Sequence, residues 1–245
     1  MITKKICVFT QTYSNDRKEL FKYHCKDQSD IDFRNEFDLN LYSFHNCSDE
    51  YINELLEYDY FQRIKNLKII RQNDISYTDS FKEALKFIYK NNFDYMVFLQ
   101  DDSLTKNAIN EKLIDFIKNG EYDMLNLEMT PKDLKTTKDI IYKNNELEIY
   151  NTSSEDFVKR GWYAFDDGGY AANVKFILTD LYDEEYLSKG NIWDAETYLN
   201  FKIHKKPIQR FTTNNNFYWR YNILGRNNWD RENLLKQLNE RFGDD

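Results

Sequence analysis

Residues Tyr95 to Lys106 read YMVFLQDDSLTK, an apolar run that passes directly into two adjacent carboxylates, Asp101 and Asp102. Like charges this close disfavour each other's ionisation unless a cation or hydrogen-bond donors share the site. Hard divalent cations such as Mg2+ and Mn2+ take oxygen ligands, keep several waters, and bind one or two carboxylates together with substrate phosphates. A strand-end carboxylate pair suits that chemistry. The plainer alternative is a solvated turn, for which Asp and Ser are ordinary residues. Asp102 or Ser103 would also serve to cap a following helix.

Two further stretches carry candidate chemistry. DDGGYAAN, Asp166 to Asn173, holds the only adjacent glycine pair in a chain with 7 Gly. Gly168 and Gly169 permit positive φ and close backbone approach to a ligand, and a simple tight turn explains them equally. NIWDAETYLNFKI places Asp194 and Glu196 around the start of an expected helix, beside Trp193. Acidic residues there favour the helix dipole. The functional alternative is a carboxylate facing a pocket as a general base, with Trp193 as apolar surface for a sugar ring.

The elements that must position these residues follow from periodicity. KKICVFTQTY is a compact apolar run and reads as a buried first strand. A helix follows over SNDRKELFKYHCKD, with Ser14 or Asn15 as cap. FDLNLYSFHN alternates as a second strand. SDEYINELLEYDYFQRI predicts one helix, capped by Ser48, with Ile52, Leu55, Leu56 and Tyr60 apolar. NLKIIRQND is a third strand, SYTDSFKEALKFIYKNN a helix, FDYMVFLQDD a fourth strand. AINEKLIDFIKNG is a helix stopped by Gly120, and YDMLNLEM a fifth strand. This alternation predicts a doubly wound α/β fold whose ligand crevice lies outside the carboxyl ends of the strands. Thr10 to Tyr13, the loop after Phe44, and Asp101–Asp102 would converge there. The later half is expected to contain a loop with short strands, a helix, a strand beginning near Pro207, and a capped C-terminal helix.

The whole chain narrows the function classes. Its 245 residues carry a formal net charge of -8, which disfavours a sequence-independent nucleic-acid binder. Aromatic content of 17% and hydrophobic content of 41% suffice for a core. The 3 cysteines are scattered without metal-type spacing and read as free thiols. No run has the roughly 18 apolar residues of a membrane span, and the apolar start is too short for a signal peptide. The expectation is a cytoplasmic protein.

The order of these motifs resembles the GT-A family of nucleotide-sugar glycosyltransferases, over roughly Lys4 to Thr212. VFLQDDSL is similar to the family's DxD-type metal motif in an xDD form. The resemblance implies an α/β, Rossmann-like, mostly parallel sheet flanked by helices, with an elaborated C-terminal half. It implies a single domain over 1–245, with a nucleotide-binding half (1–128) and an acceptor-binding half with the C-terminal helix (129–245). Family roles place Asp102 on the metal, Mn2+ or Mg2+, and Asp101 near the ribose or the metal shell. Thr10, Gln11 and Tyr13 would grip the base. Asn46 would read it, with Asp49 the alternative, and Arg71 and Asn73 would line the donor site. Gly168 and Gly169 would present backbone to the sugar. Trp162, Tyr163, Asp167 and Trp193 would shape the acceptor pocket. WDAETYL is similar to the family's acidic motif at a helix head, usually Glu-Asp; here Ala195-Glu196 stands there. Glu196 is the expected base and Asp194 its competitor. A late metal-ligating His has no counterpart in PIQRFTTNNNFYW; His204 comes too early, and Asn214 to Asn216 or a water would stand in. The implied activity is inverting transfer of a sugar from a nucleotide sugar, UDP-sugar ahead of GDP-sugar, to a hydroxyl of a glycan or other acceptor. A sugar-phosphate nucleotidyltransferase, a non-catalytic nucleotide-sugar binding domain and a structural domain remain alternatives.

Overall fold

The computed structural model describes residues 4–12, 18–127, 139–151, 169–181, 210–213, 217–220 and 231–243. Eleven strands are found among them: β1 Ile6–Thr12, β2 Leu39–His45, β3 Leu67–Gln72, β4 Tyr95–Gln100, β5 Ser103–Thr105, β6 Met124–Asn126, β7 Asp139–Lys143, β8 Glu148–Asn151, β9 Tyr170–Asn173, β10 Arg210–Thr213 and β11 Tyr218–Arg220. Nine form one sheet in the order β3-β2-β1-β4-β9-β6-β10-β8-β7, and β11 pairs with β5 in a small second sheet. Within the large sheet β9 and β8 run against the rest, so it is mixed but mostly parallel. The strands come from both sides of residue 128.

The helices are α1 Lys18–Lys26, α2 Ile31–Asn35, α3 Asp49–Leu56, α4 Asp59–Arg63, α5 Tyr77–Lys90, α6 Glu111–Asn119 and α7 Arg231–Phe242. They cover the two faces of the sheet, and the strand pleat decides which residue meets which helix. Cys7 and Phe9 of β1 pack with Met96 and Phe98 of β4 against Phe81, Ala84, Leu85 and Ile88 of α5. Ile6 and Val8 point the other way, into a cluster with Phe33 of α2 and with Leu113 and Ile117 of α6. Phe21 and Cys25 of α1 meet Tyr42 and Phe44 of β2 and the apolar faces of α3 and α4. Each large apolar side chain buried in this way contributes about 1.5–3 kcal/mol relative to its exposure.

Several expectations need correction. The predicted single helix after Ser48 is two, α3 and α4. Ser48 caps the first by accepting from the Tyr51 N–H, and the chain turns extended at Tyr58 before the second. β2 is buried along nearly its whole length, because as an interior strand it is covered on both faces despite its alternating sequence. YAAN is not part of a loop but β9, inserted antiparallel between β4 and β6. Asp102 and Ser103 do not cap a helix: Ser103 opens β5, and α6 takes its cap from Asn110, which accepts the Leu113 N–H at 2.9 Å. The Ser14 and Asn15 caps lie outside the described residues.

The few glycines are explained by what replaces them. Asn46, Asn66, Asp74 and Asn92 all adopt positive φ, between 51° and 58°. Asn and Asp tolerate the left-handed region because their short polar side chains bond locally, so these four positions need no Gly. Gly120 is needed for space rather than for φ: a Cβ there would sit 2.6 Å from the Phe116 carbonyl oxygen.

Candidate functional site

The first three strands step β1, β2, β3 in one direction, and β4 returns to the other side of β1. In doubly wound sheets ligands bind at such a reversal, which here falls at the carboxyl ends of β1 and β4. Register puts Gln100 beside Gln11, and Thr12 beside Phe44. The residues just past these pairs therefore share one edge: Thr12, Asn46, Cys47, Asp101 and Asp102. β3 lies three strand spacings from β4, so the edge runs roughly 14 Å from Asp101 to Asn73.

Asp101 and Asp102 form the turn between β4 and β5, and each is only 3% exposed. The pair is thus buried rather than solvated, and two buried carboxylates require compensating charge or donors to remain ionised. The Asp101 charge is felt at Cys47, in the loop after β2, and at Tyr51 of α3. Burial pushes the Cys47 thiol up to about 11, and the Asp101 charge adds to the rise. Burial and then Asp101 likewise drive the Tyr51 phenol upward. Among the described residues no group of three or more His, Cys, Asp or Glu is arranged to hold a metal ion. The donor set fits Mg2+ or Mn2+ in the open mode, in which one or two carboxylates share the ion with waters and substrate phosphates.

The other expected site residues separate into three groups. Thr10 and Gln11 sit at the end of β1, but their side chains are buried and engaged internally. Arg34 Nη1 donates to Thr10 Oγ1 at 3.2 Å on one face. On the other, Gln11 Nε2 donates to Ser80 Oγ at 3.1 Å, and Ser80 in turn donates to Gln72 Oε1, which also accepts from Ser43 Oγ at 2.8 Å. Thr12, within the Thr10 to Tyr13 stretch expected at this edge but not singled out as a contact, is equally buried, with its Oγ1 3.9 Å from Cys47 Sγ.

Asn46, Arg71 and Asn73 form the second group and are exposed. Asn46 takes positive φ, and its Nδ2 donates to the Ile75 carbonyl at 3.2 Å. Arg71 lies within β3 rather than after it, and its guanidinium pairs with Asp49 at the head of α3. Gly169 is at the same rim, since β9 runs antiparallel to β4. Its surroundings are close: a Cβ there would stand 3.3 Å from Leu99 Cδ2, a tight approach, and 3.5 Å from Tyr218 Cδ2, an ordinary contact. Tyr13, Trp162, Tyr163, Asp167, Gly168, Trp193, Asp194 and Glu196 form the third group and lie outside the described residues.

The sequence reading also missed what holds the acidic turn from beneath. His24 Nδ1 lies 3.1 Å from the Ser103 carbonyl oxygen. Asp27 Oδ2 accepts the Thr105 N–H at 2.6 Å, and Arg241 Nη2 of α7 donates to the Thr105 carbonyl at 2.6 Å. The Gln100 N–H donates to Ser103 Oγ at 3.2 Å. Below these, the fully buried Arg34 pairs with Asp30 at 2.6 Å and lies over the rings of Tyr42 and Tyr60. A buried His or Arg on a short helix carries no local signal; only the topology brings it to the turn.

No protein-family model matches the sequence, and no curated protein matches it. Solved structures share its fold. A crystal structure of S. aureus TarS 1–349 is 16% identical, with a TM-score of 0.57 over 88% of this chain and 60% of that one. The same fragment in complex with UDP is 16% identical, with a TM-score of 0.55 over 87% and 59%. The 4-diphosphocytidyl-2C-methyl-D-erythritol synthase of Anaerococcus prevotii is 13% identical, with a TM-score of 0.56 over 98% and 97%. The chain therefore spans about three fifths of the TarS fragment, and the likeness is one of fold: a mixed α/β architecture with a mostly parallel central sheet flanked by helices.

Proposed function

We propose that the chain is a GT-A-type glycosyltransferase that moves a sugar from a nucleotide sugar, UDP-sugar first, to a hydroxyl of a glycan or similar acceptor. The observation that carries this reading is the buried Asp101–Asp102 pair at the sheet edge where the strand order reverses. A UDP complex of a protein with this fold supports the choice of nucleotide. Residues 1–128 would hold the nucleotide along the edge from Asp101 to Asn73, and residues 129–245 the acceptor.

Asp102, with Asp101, would hold Mn2+ or Mg2+, which supplies charge neutralisation for a departing diphosphate. The acceptor oxygen attacks the anomeric carbon from the face opposite the diphosphate. The bond from that carbon to the diphosphate oxygen breaks, and the nucleoside diphosphate leaves with the bonding pair. Glu196, or Asp194, takes the acceptor's proton and must reach it at about 3 Å or through one water. The result is inversion at the anomeric carbon.

A second reading is nucleotidyl transfer to a sugar phosphate. The near full-length match to a nucleotidyltransferase fold favours it. The absence of Gly from TQTYSNDR, straight after the first strand, speaks against the glycine-rich phosphate loop that such enzymes carry.

The test is thermal stability with a panel of nucleotides, nucleotide sugars and nucleoside triphosphates, each with and without Mn2+. A ligand that binds only the native state adds about 2.7 kcal/mol at a hundredfold excess over Kd. A Mn2+-dependent shift with a nucleotide sugar and its diphosphate supports glycosyl transfer. A shift confined to a triphosphate, with pyrophosphate released from that triphosphate when a sugar phosphate is added, supports the second reading. No shift with any nucleotide rejects both.

A further inference from the structure

We propose that His24 is a positioning residue for the Asp101–Asp102 turn, fixing the Ser103 backbone so that the two carboxylates are held for a metal-bound nucleotide; this rests on the reading of the pair given above. Ser103 is the residue directly after Asp102, and its carbonyl lies 3.1 Å from His24 Nδ1. A carbonyl oxygen only accepts, so Nδ1 carries the proton. Nε2 is then the acceptor in the neutral ring. It lies 3.3 Å from the Tyr42 hydroxyl and 3.2 Å from the Tyr60 hydroxyl, which are themselves 2.8 Å apart. One tyrosine donates to Nε2 and the other donates to the first, which gives the chain of bonds a fixed direction from the tyrosines to the turn.

The ring has little freedom to move. It stacks on Phe21 with centroids 5.0 Å apart and planes 11° from parallel. Burial, with the Arg34 charge adding, pulls its pKa down to about 3, so it stays neutral and keeps one tautomer through the physiological range. Groups that orient the direct ligands of a metal govern its affinity by 10–100-fold on removal. His24 acts one residue from Asp102 and through the main chain alone.

Two measurements test this. In the first, Mn2+ affinity at saturating UDP is measured for wild type, His24→Leu and His24→Asn, beside UDP affinity without metal. Asn places an amide N–H where Nδ1–H stood, whereas Leu places no donor there. His24→Leu is expected to weaken Mn2+ by roughly tenfold or more while changing metal-free UDP affinity far less, and His24→Asn to recover most of the loss. Equal Mn2+ affinity in all three, or an equal loss in both variants, overturns the inference while leaving the nucleotide reading intact. Wild type that shows no Mn2+-dependent UDP binding removes that reading and the inference with it. The second measurement needs no ligand and no variant: nitrogen NMR of the wild-type imidazole at pH 5 to 7. A neutral ring protonated at Nδ1 is expected, and a ring protonated at Nε2 overturns the proposal even if His24→Leu fails to fold.

Discussion

The Asp27 carboxylate accepts the backbone N–H of Thr105 at 2.6 Å, across 78 residues of chain. It ties the end of α1 to the strand that leaves the acidic turn. The bond is buried, so removing the acceptor strands a donor. Asp27→Ala should cost about 1–3 kcal/mol, and Asp27→Asn, which keeps an oxygen there, clearly less. Urea unfolding of the two variants checks this; equal losses would show that the bond is not the cause.

Arg34 and Asp30 form an ion pair with essentially no solvent contact. Breaking such a pair leaves an uncompensated buried charge, so Asp30→Leu should destabilise by about 3–5 kcal/mol. Replacing both, Asp30→Leu with Arg34→Met, should cost less than Asp30→Leu alone. A double-mutant cycle in denaturant measures this, and strictly additive losses would contradict it.

The depressed His24 pKa makes stability depend on pH. The native ring ionises only near 3, against an ordinary value of 6.5. Between those values the unfolded chain binds a proton that the native state excludes. This group therefore leaves stability unchanged well above pH 6.5 and lowers it as the pH drops through the window, by at most about 1.4 kcal/mol per unit. His24→Asn should flatten that part of the profile. Parallel profiles for wild type and variant between pH 6.5 and 4.5 would contradict the assignment.

Glu196 is proposed as the base that accepts the acceptor hydroxyl's proton. Glu196→Gln should lower turnover by about 10²–10⁴-fold with nucleotide-sugar affinity retained. If Glu196→Gln keeps nearly full rate and Asp194→Asn loses it, the role passes to Asp194.

The frame of the fold was legible in the sequence because apolar runs such as those of β1 and β4 alternate with segments of helical apolar spacing, one of them opened by the cap Ser48. β9 was not legible, since YAAN is four residues with no turn-strand-turn pattern, and its place between β4 and β6 is a long-range choice. The α3–α4 break at Tyr58 escaped for the opposite reason: apolar spacing continues through it. At the candidate site, Asp101–Asp102 stood out as charge ending a buried strand. Thr10 and Gln11 were read as rim residues, yet the pleat and the packing of α2 and α5 turn them inward to Arg34 and Ser80. His24, Asp27 and Arg34 gave no sign, because each acts through contacts with residues between 4 and 79 positions away.

The central claim is that Asp101 and Asp102 form a metal–nucleotide site, and the direct measurement is calorimetric titration of UDP into wild type and Asp102→Asn, with and without Mn2+. The account predicts that Mn2+ tightens UDP binding to wild type, and that Asp102→Asn loses this gain while keeping its metal-free affinity. Wild-type affinity in the variant with Mn2+ present would contradict it.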